Sequence, residues 1–170
     1  MSRAVLWAFA VAFVAWAAWL WPDVPARIPT HFGAGGEPDA WADRAAWAWF
    51  GLPAIALVLV LLMDRGTRYV LRNPDLPGLN LPNKAAILAL PPQRRAPVIA
   101  RVAAMTYAIG AACVVTFALI QLGIWAEAHG QSGQAWVLAG TVVGFGGPLF
   151  ALGVGLVRVD AEVKRQRGGP

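Results

Sequence analysis

Four long apolar blocks fix what this chain can become. They run over Ala4–Trp21, Ala45–Met63, Val102–Ala126 and Ala135–Val157. Each is about 18–25 residues long, and a helix needs about 20 to cross the hydrocarbon core of a bilayer. A soluble bundle of helices that are apolar all round is the rival arrangement. Composition speaks against it. Of 170 residues, 58% are hydrophobic and only 14% charged, where a water-soluble domain carries about a quarter. The blocks therefore predict an all-α integral membrane protein, a single four-helix bundle over residues 1–170. Its spans fall at about 4–21, 45–63, 102–126 and 135–157, with an outer loop over 22–44 and an inner loop over 64–101.

The first block has features of a secretory signal: Arg3, an apolar stretch, and the small-x-small site Ala15-Trp16-Ala17. Its apolar character continues through Trp21, so a retained membrane helix is expected. In the third block, Gln121 suggests an interhelical hydrogen bond. Cys113 stands alone, which excludes an internal disulfide and a thiolate cluster, and reads as a small packing residue.

Charge orients the spans. With the N-terminus inside, twelve of the fourteen Lys and Arg lie on the inner side, leaving only Arg27 and Arg44 outside. Short loops rich in Lys and Arg stay in the cytoplasm, so both termini are expected inside a bacterial cytoplasmic membrane. The net charge of +5 follows from that asymmetry; nucleic-acid binding is not needed to explain it. The basic inner face suits contact with anionic membrane lipid. The outer side carries Asp23, Glu37, Asp39, Asp43 and Glu127, both histidines, His31 and His129, and seven tryptophans: Trp19, Trp21, Trp41, Trp47, Trp49, Trp125 and Trp136. Indoles favour the headgroup zone, so they read as membrane anchors or as part of a binding surface.

The outer connector is too specific to be slack. Pro22, Pro25 and Pro29 hold it extended, and Gly33-Ala34-Gly35-Gly36 supplies a turn. Asp43 is a candidate N-cap for the second helix. The loop is expected to be ordered, with His31 and Asp39 turned into it or toward the bundle and His31 hydrogen-bonded there. His31, Glu37, Asp39 and Asp43, with Glu127 and His129, have the ligand chemistry of a metal site, but no HExxH-like spacing. No metal, cofactor or catalytic set is assigned. The inner loop predicts a short interfacial helix over about Asn83–Leu90, capped by Asn83 and lying along the membrane surface through Ile87, Leu88 and Leu90. A further helix starts near Pro92 and runs into the third span. In the fourth span, Gly140-x-x-x-Gly144 and Gly147-x-x-x-Ala151-x-x-x-Gly155 make Gly140, Gly144, Gly147 and Gly155 helix-packing positions. Pro148 predicts a kink there.

Two segments carry a family resemblance. "RIPTHFGAGGEPDAW" (27–41) resembles the "IP-x-HF … G-x-x-D" signature of the bacterial membrane proteins grouped as domain of unknown function 1648. "NLPNKAAILALPPQRRAPVI" (80–99) resembles that family's "N-x-PNK … L-x-LP" segment. The resemblance covers roughly residues 5–100 and extends to the Sdp immunity (sporulation-delaying-protein toxin immunity) proteins. It implies a role in binding a peptide or protein at the outer face, immunity- or sensor-like. It makes His31, Phe32, Asp39, Trp41, Asn83 and Lys84 the candidate partner-binding residues. The alternatives are an accessory subunit of a larger membrane complex, and a small-molecule transporter or metal-dependent membrane enzyme. With no nucleophile–base pair and few ionisable groups inside the spans, contact is favoured over chemistry.

Overall fold

The structure, a computed structural model, describes residues 1–73, 75, 76, 78 and 80–168. Residues 74, 77 and 79 of the expected inner loop lie outside the described set. Its elements are helix α1 (Arg3–Leu20), a 3-10 turn (Trp21–Asp23), strands β1 (Arg27–Phe32) and β2 (Pro38–Asp43), and helices α2 (Ala46–Arg72), α3 (Lys84–Leu88), α4 (Pro92–Ala128) and α5 (Gln134–Gly168). Among the described residues, α1, α2, α4 and α5 are long and apolar enough to span a membrane. The protein is a multi-pass helical bundle.

The helices outrun the apolar blocks. At 37 and 35 residues, α4 and α5 extend about 56 and 52 Å at 1.5 Å per residue, against a hydrocarbon core of about 30 Å. The excess lies at the basic end, where Pro92 opens α4 at a position whose missing N–H costs nothing. There the extensions meet α3 and the end of α2 around a core of Val70, Ile87, Leu90, Val98, Val159 and Val163. Ile87 of α3 is fully buried in it. The short helix is therefore turned into a protein core by its apolar side. Asn83 stands at its N-cap position, but its side chain makes no cap hydrogen bond; instead its Nδ2 donates to Asp160 Oδ1 at 2.7 Å.

Helix α4 is the centre of the bundle, packing on α1, α2, α5 and β1, whereas α5 packs chiefly on α4. One face of α4 joins Leu6, Phe13, Ala56 and Val60 through Ala103, Tyr107, Ala111 and Val114. The other faces α5. The basic end of α1 and α2 is closed by Asp64, fully buried. Arg3 donates to it through Nε at 2.7 Å and Nη2 at 3.2 Å, and Arg68 pairs with it at 3.2 Å. Asp64 was expected to begin the inner loop; α2 instead continues to Arg72, because the carboxylate finds two cations at the bundle's rim.

The outer connector is not coil. β1 and β2 pair antiparallel, with Arg27 opposite Asp43, Ile28 opposite Ala42 and Pro29 opposite Trp41, then a register irregularity around His31. Pro29 has no N–H to give the ladder, a common reason for irregularity at such a point. Gly36 closes the turn at φ +88, the left-handed region open to glycine. Asp43 is the last residue of β2 and not a helix cap. Arg44 N continues the pairing to Ala26 O at 2.8 Å, so α2 begins only at Ala46, with no side-chain cap.

Candidate functional site

The hairpin end is assembled from residues that anchor and residues that show. Ile28 and Pro29 are fully buried. Ile28 packs with Leu20, Val24, Trp49 and Ile124. Trp49 is no interfacial anchor: it is fully buried, its Nε1 donates to Ala17 O at 2.9 Å, and its ring meets Trp125 edge-on at 6.0 Å. Arg44 clasps the other side. Its guanidinium donates to the carbonyls of Trp21 at 2.7 Å and Val24 at 3.0 Å and lies 4.3 Å from the Trp21 ring. The turn is tied to α5, where Gln134 Nε2 donates to Gly35 O at 2.7 Å and Glu37 Oε1 at 3.1 Å. A side chain at Gly36 would press on Gln134 and Leu138. Hairpin residues that would otherwise sample many conformations are thus held from three sides.

His31 and Asp39 meet each other, Nδ1 to Oδ1 at 2.5 Å. Both are open to solvent, with side-chain exposures of 70% and 53%, so neither turns toward the bundle. Phe32 is half-buried and, with Pro29, Thr30, Trp47 and Leu52, lines a crevice of about 220 Å³. Along β2, Trp41 and Asp43 alternate onto one face, Asp39 follows at the register irregularity, and all three are exposed. An indole between two carboxylates is thereby presented on a rigid strand. Among the described residues, no three His, Cys, Asp or Glu side chains converge in a way that could hold a metal ion. His129 instead donates from Nδ1 to Trp125 O at 2.8 Å, and Glu127 accepts from Gly133 N at 2.7 Å.

The six partner-binding candidates form two groups. His31, Phe32, Asp39 and Trp41 share the hairpin. Asn83 and Lys84 sit at the opposite end of α2, which spans 27 residues, or about 40 Å. The four glycines expected to pack, Gly140, Gly144, Gly147 and Gly155, face α4. A Cβ at Gly140 would lie 2.8 Å from Ile120 Cγ1, at Gly144 2.9 Å from Thr116 Cγ2, and at Gly147 3.1 Å from Ala112 Cβ. A Cβ at Gly155 would overlap Met105. Two glycines passed over in the sequence are as tight: Gly123 and Gly133 bring the backbones of α4 and the α4–α5 connection together. Arg44 was also missed, since its partners are carbonyls some twenty positions away and leave no local pattern.

These features define a multi-pass helical membrane protein with a tethered β-hairpin at one end. Residues 8–57, covering most of α1, the hairpin and the start of α2, match the family described as Domain of unknown function (DUF1648). The resemblance drawn from 27–41 is borne out there. The segment 80–99 lies beyond the matched residues. A curated relative from Archaeoglobus fulgidus, titled only "Uncharacterized protein", is 39% identical over 74 residues. That alignment covers 38% of this chain and 38% of the relative. No solved structure matches.

Proposed function

We propose that the hairpin is the docking platform of a non-enzymatic membrane protein that binds a peptide or protein partner at the outer face of a bacterial cytoplasmic membrane. Both termini and the basic end lie inside, following the distribution of Lys and Arg. The observation that carries the reading is that Asp39, Trp41 and Asp43 are all exposed on a strand held by Ile28, Arg44 and Gln134. A rigid strand gives a partner main-chain pairing, and alternate side chains give selectivity. Two carboxylates around an indole suit a cationic, partly apolar segment. The immunity- or sensor-like role implied by the family resemblance agrees with such a partner. An accessory-subunit role would rest instead on the open face of α5, where Phe145, Leu149 and Phe150 are exposed; lipid accounts for that face.

The test is binding of two synthetic peptides of equal length, one cationic and amphipathic, one acidic, to the protein in nanodiscs. The cationic peptide should bind and the acidic one should not. Trp41→Ala should weaken binding by about 2 kcal/mol, as for a buried interface indole, with thermal unfolding unchanged. Equal binding of both peptides, or indifference to Trp41→Ala and Asp39→Asn, would remove the hairpin from the function.

A further inference from the structure

At the basic end, the seam between α4 and α5 opens into two adjoining hollows. The lower one, about 300 Å³, is walled by Met105, Ala108, Phe150, Val154 and Gly155 and closed above by Arg101 and Arg158. The upper one, about 350 Å³, is formed by Arg101, Arg158, Ala161, Glu162 and Arg165. Arg101 and Arg158 belong to both, so an apolar slot runs directly into a basic mouth.

The charge there does not cancel. Glu162, 6% exposed, takes Arg165 on Oε1 at 2.6 Å and lies 3.8 Å from Arg101 on Oε2. Gln166 donates to the same Oε1 at 2.8 Å. One buried carboxylate thus fixes two guanidiniums, and Arg158 is exposed with no ion pair among the described residues. Three cations face one anion. Arg101 immediately precedes the apolar stretch of α4, and Arg158 immediately follows that of α5. The mouth therefore lies where hydrocarbon gives way to phosphate, and the slot beneath it lies in the hydrocarbon. Met105 occupies the space that a side chain at Gly155 would take, and so forms the floor between the two helices.

We infer that this is a binding site for an anionic phospholipid: the phosphate sits among Arg101, Arg158 and Arg165, and an acyl chain lies in the slot against Phe150. Basic pockets between transmembrane helices have this use. A free phosphate would use the mouth and leave the slot without purpose, so the lipid is the ligand.

The probe is 1-palmitoyl-2-oleoyl-phosphatidylglycerol, titrated onto the full chain in neutral detergent and counted by native mass spectrometry. One lipid per chain should be retained, and phosphatidylcholine with the same tails should bind more weakly. Arg158→Gln should weaken retention about fivefold, the value of one cation near a phosphate. It leaves both Glu162 pairs in place, so the fold should survive. Arg65→Gln removes the same charge from an exposed position on α2 and should leave retention at the wild-type level. Glycerophosphoglycerol, the head group without tails, should not bind. The site is overturned if Arg65→Gln weakens retention as much as Arg158→Gln, if Arg158→Gln has no effect, if phosphatidylcholine binds equally, or if glycerophosphoglycerol binds as tightly as the lipid.

Discussion

Where α4 meets α1 and α2, the space is filled by Leu6, Phe13, Val60 and Tyr107, and Asp64 is buried between two arginines. Where α4 meets α5 between Gly140 and Gly155, glycines whose missing side chains let the helices approach line the contact. The two seams solve one problem differently. In lipid, burying apolar surface gives helices little reason to associate, because the tails are as apolar as leucine. Association then rests on close packing and on polar contacts. The first seam interlocks large side chains and adds an ion pair. The second removes side chains so that α5 approaches α4 closely between Gly140 and Gly155. The first tolerates no loss of volume, and the second no gain.

The largest effect should come from emptying the first seam. Trp49 on α2 is fully buried and hydrogen-bonded to α1 through Ala17 O. Trp49→Ala removes an indole and orphans that carbonyl, and should cost about 3–5 kcal/mol. Thermal unfolding in detergent measures it. A loss under about 1 kcal/mol would mean that this seam collapses freely and is not the interlocked one.

The second seam should fail in the opposite way. A Cβ at Gly140 would meet Ile120 Cγ1 at 2.8 Å and the backbone atoms Ile120 N and Thr116 O at 3.2 Å. Gly140→Val must therefore push α5 off α4, at about 1–3 kcal/mol. At Gly146 no atom lies within 4 Å of the added Cβ, so Gly146→Val serves as the control and should be close to neutral. Equal losses at the two positions would show that helix propensity, and not the seam, sets the cost.

The two seams also differ in how far the sequence discloses them. Apolar blocks announce the spans, and small residues at four-residue intervals announce the Gly140–Gly155 stripe. Gly123 and Gly133 follow no such interval, because they meet only after the chain has turned at residues 129–133. The start of α4 near Pro92 was legible from its proline, but the length of α5 was hidden for another reason: charged turns end an apolar block without ending a helix. The hairpin was masked by its prolines. Pro29 inside β1 argues against a strand, and "RIPTHF" lacks a clean alternation, so the segment reads as an ordered, extended loop without strand pairing. Ile28 anchors it through partners spread over α1, α2 and α4, which no local pattern records. Asp64 looked like a loop residue because its cation Arg3 lies 61 positions away.

The smallest effect sharpens the contrast within the first seam itself. Gln121 lies on α4 at seven-residue intervals from Tyr107 and Val114, so it continues the face turned to α1 and α2. It is fully buried, and neither amide atom has a hydrogen-bond partner among the described residues. The interhelical hydrogen bond that a glutamine in a span suggests is not made. Asp64 is a buried polar group that strengthens this seam, because two arginines satisfy it. Gln121 is one that weakens it, because a buried amide without a partner loses its hydration for nothing, at about 1–3 kcal/mol. Methionine has nearly the same length and volume and no group to desolvate. Gln121→Met should therefore raise the unfolding free energy by about 1 kcal/mol, while Gln121→Ala should lower it by opening a cavity. Thermal unfolding of the two variants beside wild type separates the polar penalty from the packing term. If Gln121→Met destabilises the protein, the amide is satisfied in the membrane, and the first seam owes its strength to polar contacts at both ends and not only at Asp64.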